Sequence, residues 1–149
     1  MRIATAALFA LLVLVTASLA RAPDQPKYKS VEKHFSGNLN ITGETIHYPK
    51  GEPVNIQSLV VTLRPGETTG WHKHGVPTYG YVLSGNLTVD YGKKGKRHYR
   101  PGEAFMEAMD WWHNGSNGGM EPVRVLVVFM GAKGSQPVIR DGAPKEAPK

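Results

Sequence analysis

Two histidines separated by one residue, His72 and His74, follow a turn at residues 65–66 and are flanked by strand-forming sequence. On a β-strand alternate side chains share one face, so both imidazoles would project to the same side, with their Cα atoms about 7 Å apart. Neutral imidazole is a ligand for Zn, Fe, Ni and Cu, and two rings at this separation can converge on one ion. The pair therefore indicates a metal site, although two ordinary polar side chains at this spacing are the commoner case.

A third histidine, His113, follows Trp111 and Trp112 and precedes the polar residues 114–117. We expect it at the start of a strand that leads into the apolar run 123–129. In an antiparallel barrel its ring would complete a face of three nitrogens on one ion and leave coordination positions open for water or substrate. Three imidazoles do not by themselves select the metal.

The elements that must position these histidines are short strands separated by sharp turns. Seventeen Gly and eleven Pro occur in 149 residues, and no stretch keeps helical periodicity for three turns. Pro-Gly pairs at 65–66 and 101–102 each end an apolar run, and residues 84–86 predict a tight hairpin. The predicted strands cover residues 55–63, 78–83, 86–91, 96–99, 104–107 and 123–129. Their pattern predicts an all-β protein, an antiparallel sandwich or barrel.

The first twenty residues differ in composition from the rest and predict a signal peptide, residues 1–20. Arg2 supplies a positive charge, residues 6–15 are apolar, and Ser18 and Ala20 are small enough for a signal peptidase. An uncleaved membrane anchor would need about 20 continuous apolar residues, more than this run provides. We therefore expect an exported protein, periplasmic or secreted. Cysteine is absent, so neither a lipid anchor nor a disulfide is available there.

Both ends of the mature chain are rich in Pro, Lys and Gly and have little apolar surface to bury. Residues 21–35 and 134–149 are therefore predicted to be flexible, and residues 36–133 to form the β-barrel. The net charge of +6 is scattered apart from a basic cluster at 93–97, which lies between glycines and predicts a solvated hairpin loop. We accordingly expect no nucleic-acid partner, and no membrane contact once the signal peptide has been removed.

The spacing of the histidines and their flanking glycines resembles the two sequence motifs of the cupin superfamily. The first motif is a Gly, five residues, His-x-His, three or four residues, Glu, six residues and a Gly. Residues 66–85 match it except at Thr78, where the family has Glu. Residues 102–117 match the second motif at its Gly, His and Asn, while Ala108 and Asp110 stand where the family has Pro and Gly.

The resemblance implies a single-domain double-stranded β-helix, an antiparallel barrel or jelly roll, with one divalent metal ion inside. His72, His74 and His113 occupy the positions of the metal ligands, and Thr78 stands at the position of the fourth, where its neutral hydroxyl is a weak donor. The metal would be Fe, Zn, Ni, Cu or Mn, and the missing carboxylate favours the metals that prefer imidazole over Mn. Many relatives are dimers, so a homodimer is expected.

Superfamily membership favours a metal-dependent enzyme that acts on a small-molecule ligand or substrate, either dioxygenase-like or a Lewis-acid isomerase or hydrolase. Glu107 and Tyr79 are the candidate catalytic residues, because either could move a proton near the metal. Glu107 faces either the barrel interior or solvent, and Glu67, the other nearby carboxylate, is predicted to be a solvated turn residue. The alternative is a non-catalytic periplasmic protein that binds a small ligand or a metal.

Overall fold

The structure is a computed structural model that describes residues 31–48 and 50–148. Antiparallel strands dominate this part of the chain. The strands are β1 Val54–Leu63, β2 Lys73–His74, β3 Thr78–Ser84, β4 Leu87–Asp90, β5 Lys96–Tyr99, β6 Ala104–Met106, β7 Asn114–Ser116, β8 Val123–Ala132 and β9 Val138–Ile139. A short 3-10 helix, Gly92–Lys94, connects β4 to β5. The predicted all-β fold is confirmed, and within the described ranges no helix is long and apolar enough to span a membrane. The predicted signal peptide, and residues 21–30 of the predicted flexible segment, lie outside the described residues.

The strands form two principal sheets that enclose a shared core. The first sheet has the order β1-β8-β3-β6 and the second has the order β5-β4-β7, while β2 and β9 make a separate two-stranded sheet. β1 and β8 pair over ten residues, from Val54 opposite Ala132 to Leu63 opposite Val123. Two antiparallel sheets packed in this way make the predicted double-stranded β-helix.

The core lies between the two principal sheets because alternate residues of each strand turn inward. Val82 of β3 is buried, and so are Leu87 and Val89 of β4, whereas the residues next to them are partly or fully exposed. The rings of Tyr99 and Phe105 stack with their centroids 4.0 Å apart. Burying one apolar side chain contributes about 1.5–3 kcal/mol, so this layer supplies the stability that no disulfide can give.

The six predicted strands are all present, and their observed ends differ from the predicted ends by no more than three residues. The region after His113 is different. β7, Asn114–Ser116, pairs with β4 and ends before β8 begins at Val123. The prediction of a strand that leads from His113 into the apolar run is therefore wrong. The side chain of Asn117 turns the chain here, because its Nδ2 donates hydrogen bonds to the carbonyl oxygens of Leu63 and Glu121, both at 2.9 Å.

The segment after β8 also departs from the prediction. Val138–Ile139 forms β9 and pairs with β2, with Val138 opposite His74. β2 would otherwise present unpaired backbone groups at a sheet edge, and β9 covers them. The contact is tight, because a Cβ added at Gly75 would lie 2.7 Å from the carbonyl oxygen of Gln136. The prediction that residues 134–149 form a flexible tail is therefore wrong for this segment.

Candidate metal centre

Three buried histidines meet inside the barrel. His72 immediately precedes β2, His74 is its last residue, and His113 immediately precedes β7. His72 and His113 face each other in an antiparallel bridge, with backbone N–O distances of 3.0 and 2.9 Å. One ring nitrogen of each histidine lies within 4.8 Å of the other two, and the exposed fractions of the three residues are 8%, 4% and 1%. The structure thus brings together the three residues that the sequence predicts as ligands.

Backbone carbonyl groups fix the orientation of all three rings. Each Nδ1 lies within hydrogen-bond distance of one carbonyl oxygen: His72 with Gly70 at 2.9 Å, His74 with Pro137 at 3.0 Å, and His113 with Trp111 at 2.8 Å. A carbonyl oxygen only accepts, so each Nδ1 carries the hydrogen and each Nε2 keeps its lone pair. Metal-ligating histidines are oriented in this way by their second ring nitrogen.

The site fits a divalent metal better than it fits an ordinary polar cluster. Among the described residues the Nε2 of His113 is buried and has no hydrogen-bond partner, which is costly unless an ion or another group satisfies it. Burial, with a smaller contribution from charge on the neighbouring histidines, lowers the pKa of His72 to about 4 and that of His74 to about 3. Burial likewise lowers the pKa of His113 to about 4. The rings are therefore neutral at pH 7, the form that binds metal.

The metal-free protein is expected to lose stability as the pH falls from about 6.5 towards 4. The histidine pKa is 6.5 in an open environment and about 4 or lower in the folded site, so in this range the unfolded chain takes up protons that the folded chain does not. Burial raises the pKa of Glu107, so this group changes the free energy of unfolding in the opposite direction. Three histidines act one way and one carboxyl group the other, so the histidines determine the trend. Urea unfolding of chelator-treated protein across this range should give a free energy of unfolding that rises with pH. A constant or falling free energy would contradict the buried neutral triad.

Glu107 faces the barrel interior, which decides between the two orientations that the sequence left open. Its carboxylate Oε2 lies 3.7 Å from the Nε2 of His113 and accepts a hydrogen bond from the hydroxyl of Tyr91 at 2.8 Å. Thr78 is also buried and lines the same cavity, but its hydroxyl donates to the carbonyl oxygen of Val76 at 3.0 Å. The interior thus holds a carboxylate beside the histidines, although not at position 78.

Tyr79 lies on the other side of β3 from the histidines. It lines a separate surface groove with Phe35, whose ring centroid is 6.3 Å from its own, and with Met106. Its neighbour Thr78 points inward, and consecutive residues of a strand face opposite sides. The prediction that Tyr79 moves a proton at the metal site is therefore wrong.

Three residues at the site were missed by the sequence analysis. Tyr91 is fully buried and holds Glu107, Pro137 holds His74 through its carbonyl oxygen, and Arg140 lines the cavity. Tyr91 could have been found, because it continues the inward alternation of β4. The other two belong to the segment predicted to be flexible, and no local pattern places that segment against β2.

The cavity beside the histidines has a volume of about 340 Å³. Its walls are mainly apolar, with Leu63, Leu87, Val89, Val125, Val127 and Phe129 among the lining residues. Arg140 is the cation that lines it, and the guanidinium Nη1 donates to the carbonyl oxygen of Thr69 at 2.8 Å. Glu67 does not line it, because its carboxylate accepts a hydrogen bond from the backbone N–H of Arg64 at 2.7 Å in the preceding turn. The cavity therefore pairs an apolar body with a few polar groups at the histidines, as small-molecule sites do.

Comparison with known families agrees with the two sequence motifs. The family model described as a cupin domain matches residues 59–129, a span that contains all three histidines and Glu107. No curated protein matches the chain at a significant level of sequence similarity.

Solved structures resemble the described fold. The polyketide cyclase RemF from Streptomyces resistomycificus is 24% identical with a TM-score of 0.50, over 65% of this chain and 67% of that one. The protein TT1209 from Thermus thermophilus is 26% identical with a TM-score of 0.47, over 51% of this chain and 72% of that one. The oxalate decarboxylase of Lactobacillus farciminis, in its formate complex, is 21% identical with a TM-score of 0.49, over 56% of this chain and 26% of that one. The chain thus spans about a quarter of the decarboxylase, and the likeness to the cyclase shows the fold alone.

Proposed function

Residues 59–129 form a cupin domain, and from this premise we propose that the chain is a metal-dependent enzyme acting on a small molecule inside its barrel. The orientation of the three histidines carries the proposal, since each ring is held through Nδ1 and leaves its Nε2 for one ion. Three imidazole ligands leave coordination positions open, as catalytic sites require. The imidazoles by themselves favour Zn, Fe, Ni or Cu.

Each group in the site has a distinct part in such a reaction. A bound ion would supply Lewis-acid chemistry or, if it is iron, redox chemistry. His72, His74 and His113 would hold it, and the apolar walls would exclude bulk water and strengthen polar interactions within the cavity. Glu107 is the carboxylate that lines the cavity, and its oxygens can accept or return a proton at the substrate. Tyr91 positions that carboxylate through its hydroxyl.

Arg140 and the cavity walls indicate the substrate class. The guanidinium lies against Gly70, where an added Cβ would come within 3.4 Å of Nη1, and it uses one of its five N–H donors on Thr69. A divalent ion on three neutral histidines adds further positive charge. We infer that the substrate is a small anion, such as a carboxylate, that carries an apolar body.

A non-catalytic role has one observation in its favour. Thr78 stands where the family has its carboxylate ligand, and a binding protein can depart from the full ligand set of an enzyme. In that case the protein would hold a small ligand, or the metal itself, without changing it chemically.

Turnover separates the two functions. Metal-loaded protein should consume O₂ or convert small carboxylates that carry an aromatic or branched apolar group, and His72→Ala should abolish this activity. The control His98→Ala changes an exposed histidine outside the cavity and should leave activity intact. Binding of such a carboxylate without any chemical change, in every metal form, would instead establish the binding protein.

Export and dimerisation are also proposed. The sequence of residues 1–20 supports export, which the cleavage site of the mature protein in its native host would test.

The proposed dimer would form at an edge of the first sheet. β1 lies at this edge and exposes apolar side chains, Val54 and Ile56 being 76% and 61% exposed. Such an edge favours pairing with a second copy, and light scattering that gave the mass of one chain would contradict a homodimer.

A further inference from the structure

Thr78 and Glu107 are neighbours on adjacent strands. The backbone N–H of Glu107 donates to the carbonyl oxygen of Thr78 at 2.8 Å, which continues the antiparallel pairing of β3 with β6 beyond Tyr79 opposite Met106. Residues that lie opposite each other in such a ladder share one face, with Cβ atoms about 4.5–5.5 Å apart. Both side chains line the cavity. A carboxylate at position 107 therefore reaches the region that one at position 78 would occupy.

The distance from Glu107 to His113 suits two ligands of one ion. Zinc–nitrogen and zinc–oxygen bonds are about 2.0–2.2 Å long, so two ligand atoms on one ion lie no more than about 4.3 Å apart. The observed separation between Oε2 of Glu107 and Nε2 of His113 is 3.7 Å. An ion bound to His113 can thus also contact this carboxylate. The group of ligand atoms that all lie within 4.8 Å of one another contains the three histidines and not Glu107, so the carboxylate must turn towards His72 and His74 to share their ion.

The surroundings of Glu107 hold its carboxylate in place without neutralising it. Oε2 accepts hydrogen bonds from the hydroxyl of Tyr91 at 2.8 Å and from the backbone N–H of Ala108 at 3.3 Å. Among the described residues, only His113 lies within 4.0 Å of the Glu107 carboxylate as an ion-pair partner, and no lysine or arginine pairs with this carboxylate. A buried carboxylate without a compensating cation is costly. A divalent ion at the three histidines would supply the missing charge.

We propose that Glu107 is the fourth protein ligand of the metal. The family has its carboxylate ligand at the position of Thr78 on β3, and in this chain the residue that follows β6 supplies it instead. The inference rests on the three-histidine centre proposed above. It makes the donor set three nitrogens and one oxygen, which admits Mn alongside the metals that prefer imidazole. It also explains why the site would keep a negative charge although the first motif has the neutral Thr78 in place of Glu.

Affinity for Zn²⁺, measured by competition with a chelator, tests the proposal without any assay of activity. Glu107→Gln should weaken binding roughly 10–100-fold or more, since even groups that only support a ligand have effects of this size. Glu103→Gln is the matched control, because it makes the same change at an exposed carboxylate that accepts from the backbone N–H of Arg100. The double variant Thr78→Glu/Glu107→Gln should recover affinity, since it returns the carboxylate to β3. Circular dichroism confirms that each variant is folded.

Infrared difference spectra give a second readout, which starts from the native protein. One equivalent of Zn²⁺ should shift a carboxylate stretching band, and Glu103→Gln should keep that shift. Unchanged carboxylate bands, or native affinity in Glu107→Gln while His113→Ala loses it, would overturn the fourth ligand and leave the three-histidine centre standing. A native protein that binds no Zn²⁺ would overturn both.

Discussion

Replacing His113 with alanine is expected to reduce the affinity for Zn²⁺ by at least about a hundredfold, since changes to groups that merely orient a ligand cost 10–100-fold. His113 is 1% exposed, its Nδ1 is fixed by the carbonyl oxygen of Trp111, and its Nε2 has no partner among the described residues. Removing the ring removes one of the three imidazole ligands, the one whose Nε2 lies 3.7 Å from Oε2 of Glu107. Isothermal titration of chelator-treated protein with Zn²⁺ measures the effect.

His98→Ala is the matched control for that experiment. His98 lies on β5, is exposed and has its Nδ1 3.0 Å from the hydroxyl of Thr88, so its loss should leave Zn²⁺ affinity unchanged. Thermal unfolding of both variants without metal shows whether the cavity left at position 113 affects the fold. Equal affinities for His113→Ala and the native protein would remove His113 from the metal site.

The largest expected effect on stability is that of Gly85→Ala, at about 3 kcal/mol or more, from overpacking of about 1–3 kcal/mol and about 1–2 kcal/mol for a left-handed residue. Gly85 has a φ of 74° between β3 and β4. An added Cβ would lie 2.7 Å from the carbonyl oxygen of Pro122 and 2.8 Å from the Cα of Val123. Both contacts are with backbone that cannot rotate away. Urea unfolding should register the loss, and Tm should fall by roughly 10 °C or more.

Gly95→Ala separates crowding from backbone conformation. Gly95 has a φ of 83°, but an added Cβ would meet nothing within 4 Å. This variant should therefore lose only the conformational part, about 1–2 kcal/mol. If the two variants were equally stable, the close approach of residues 122–123 to Gly85 would not be a constraint on the fold.

Much of the fold follows from local sequence. Apolar runs of strand length located the six predicted strands, and Pro-Gly pairs marked where two of the runs end. The motif position of Asp110 shows why a departure from the family pattern is tolerated, since Asp110 has a φ of 50°, and aspartate is among the few residues besides glycine that accept this region. A glycine, which the family motif has at this place, would accept the same conformation without a side-chain clash.

The parts of the site that were not predicted depend on distant contacts. Pro137 holds His74 across 63 positions of sequence, and nothing local in a Pro- and Lys-rich segment indicates that it pairs with β2. Tyr79 was chosen for its chemistry, although the inward position of Thr78 already excluded it. Glu107 was ambiguous because it follows the last residue of β6, where alternation ends and the hydrogen bond to Thr78 sets its direction.

The central claim is that His72, His74 and His113 hold one divalent ion. Mature protein purified without chelator, from its native or a closely related host, should contain about one metal ion per chain by mass spectrometry. The double variant His72→Ala/His113→Ala, prepared in parallel, should contain none. Native protein that carries no metal, and takes up none on reconstitution with Zn²⁺, Fe²⁺, Ni²⁺, Cu²⁺ or Mn²⁺, would contradict the account.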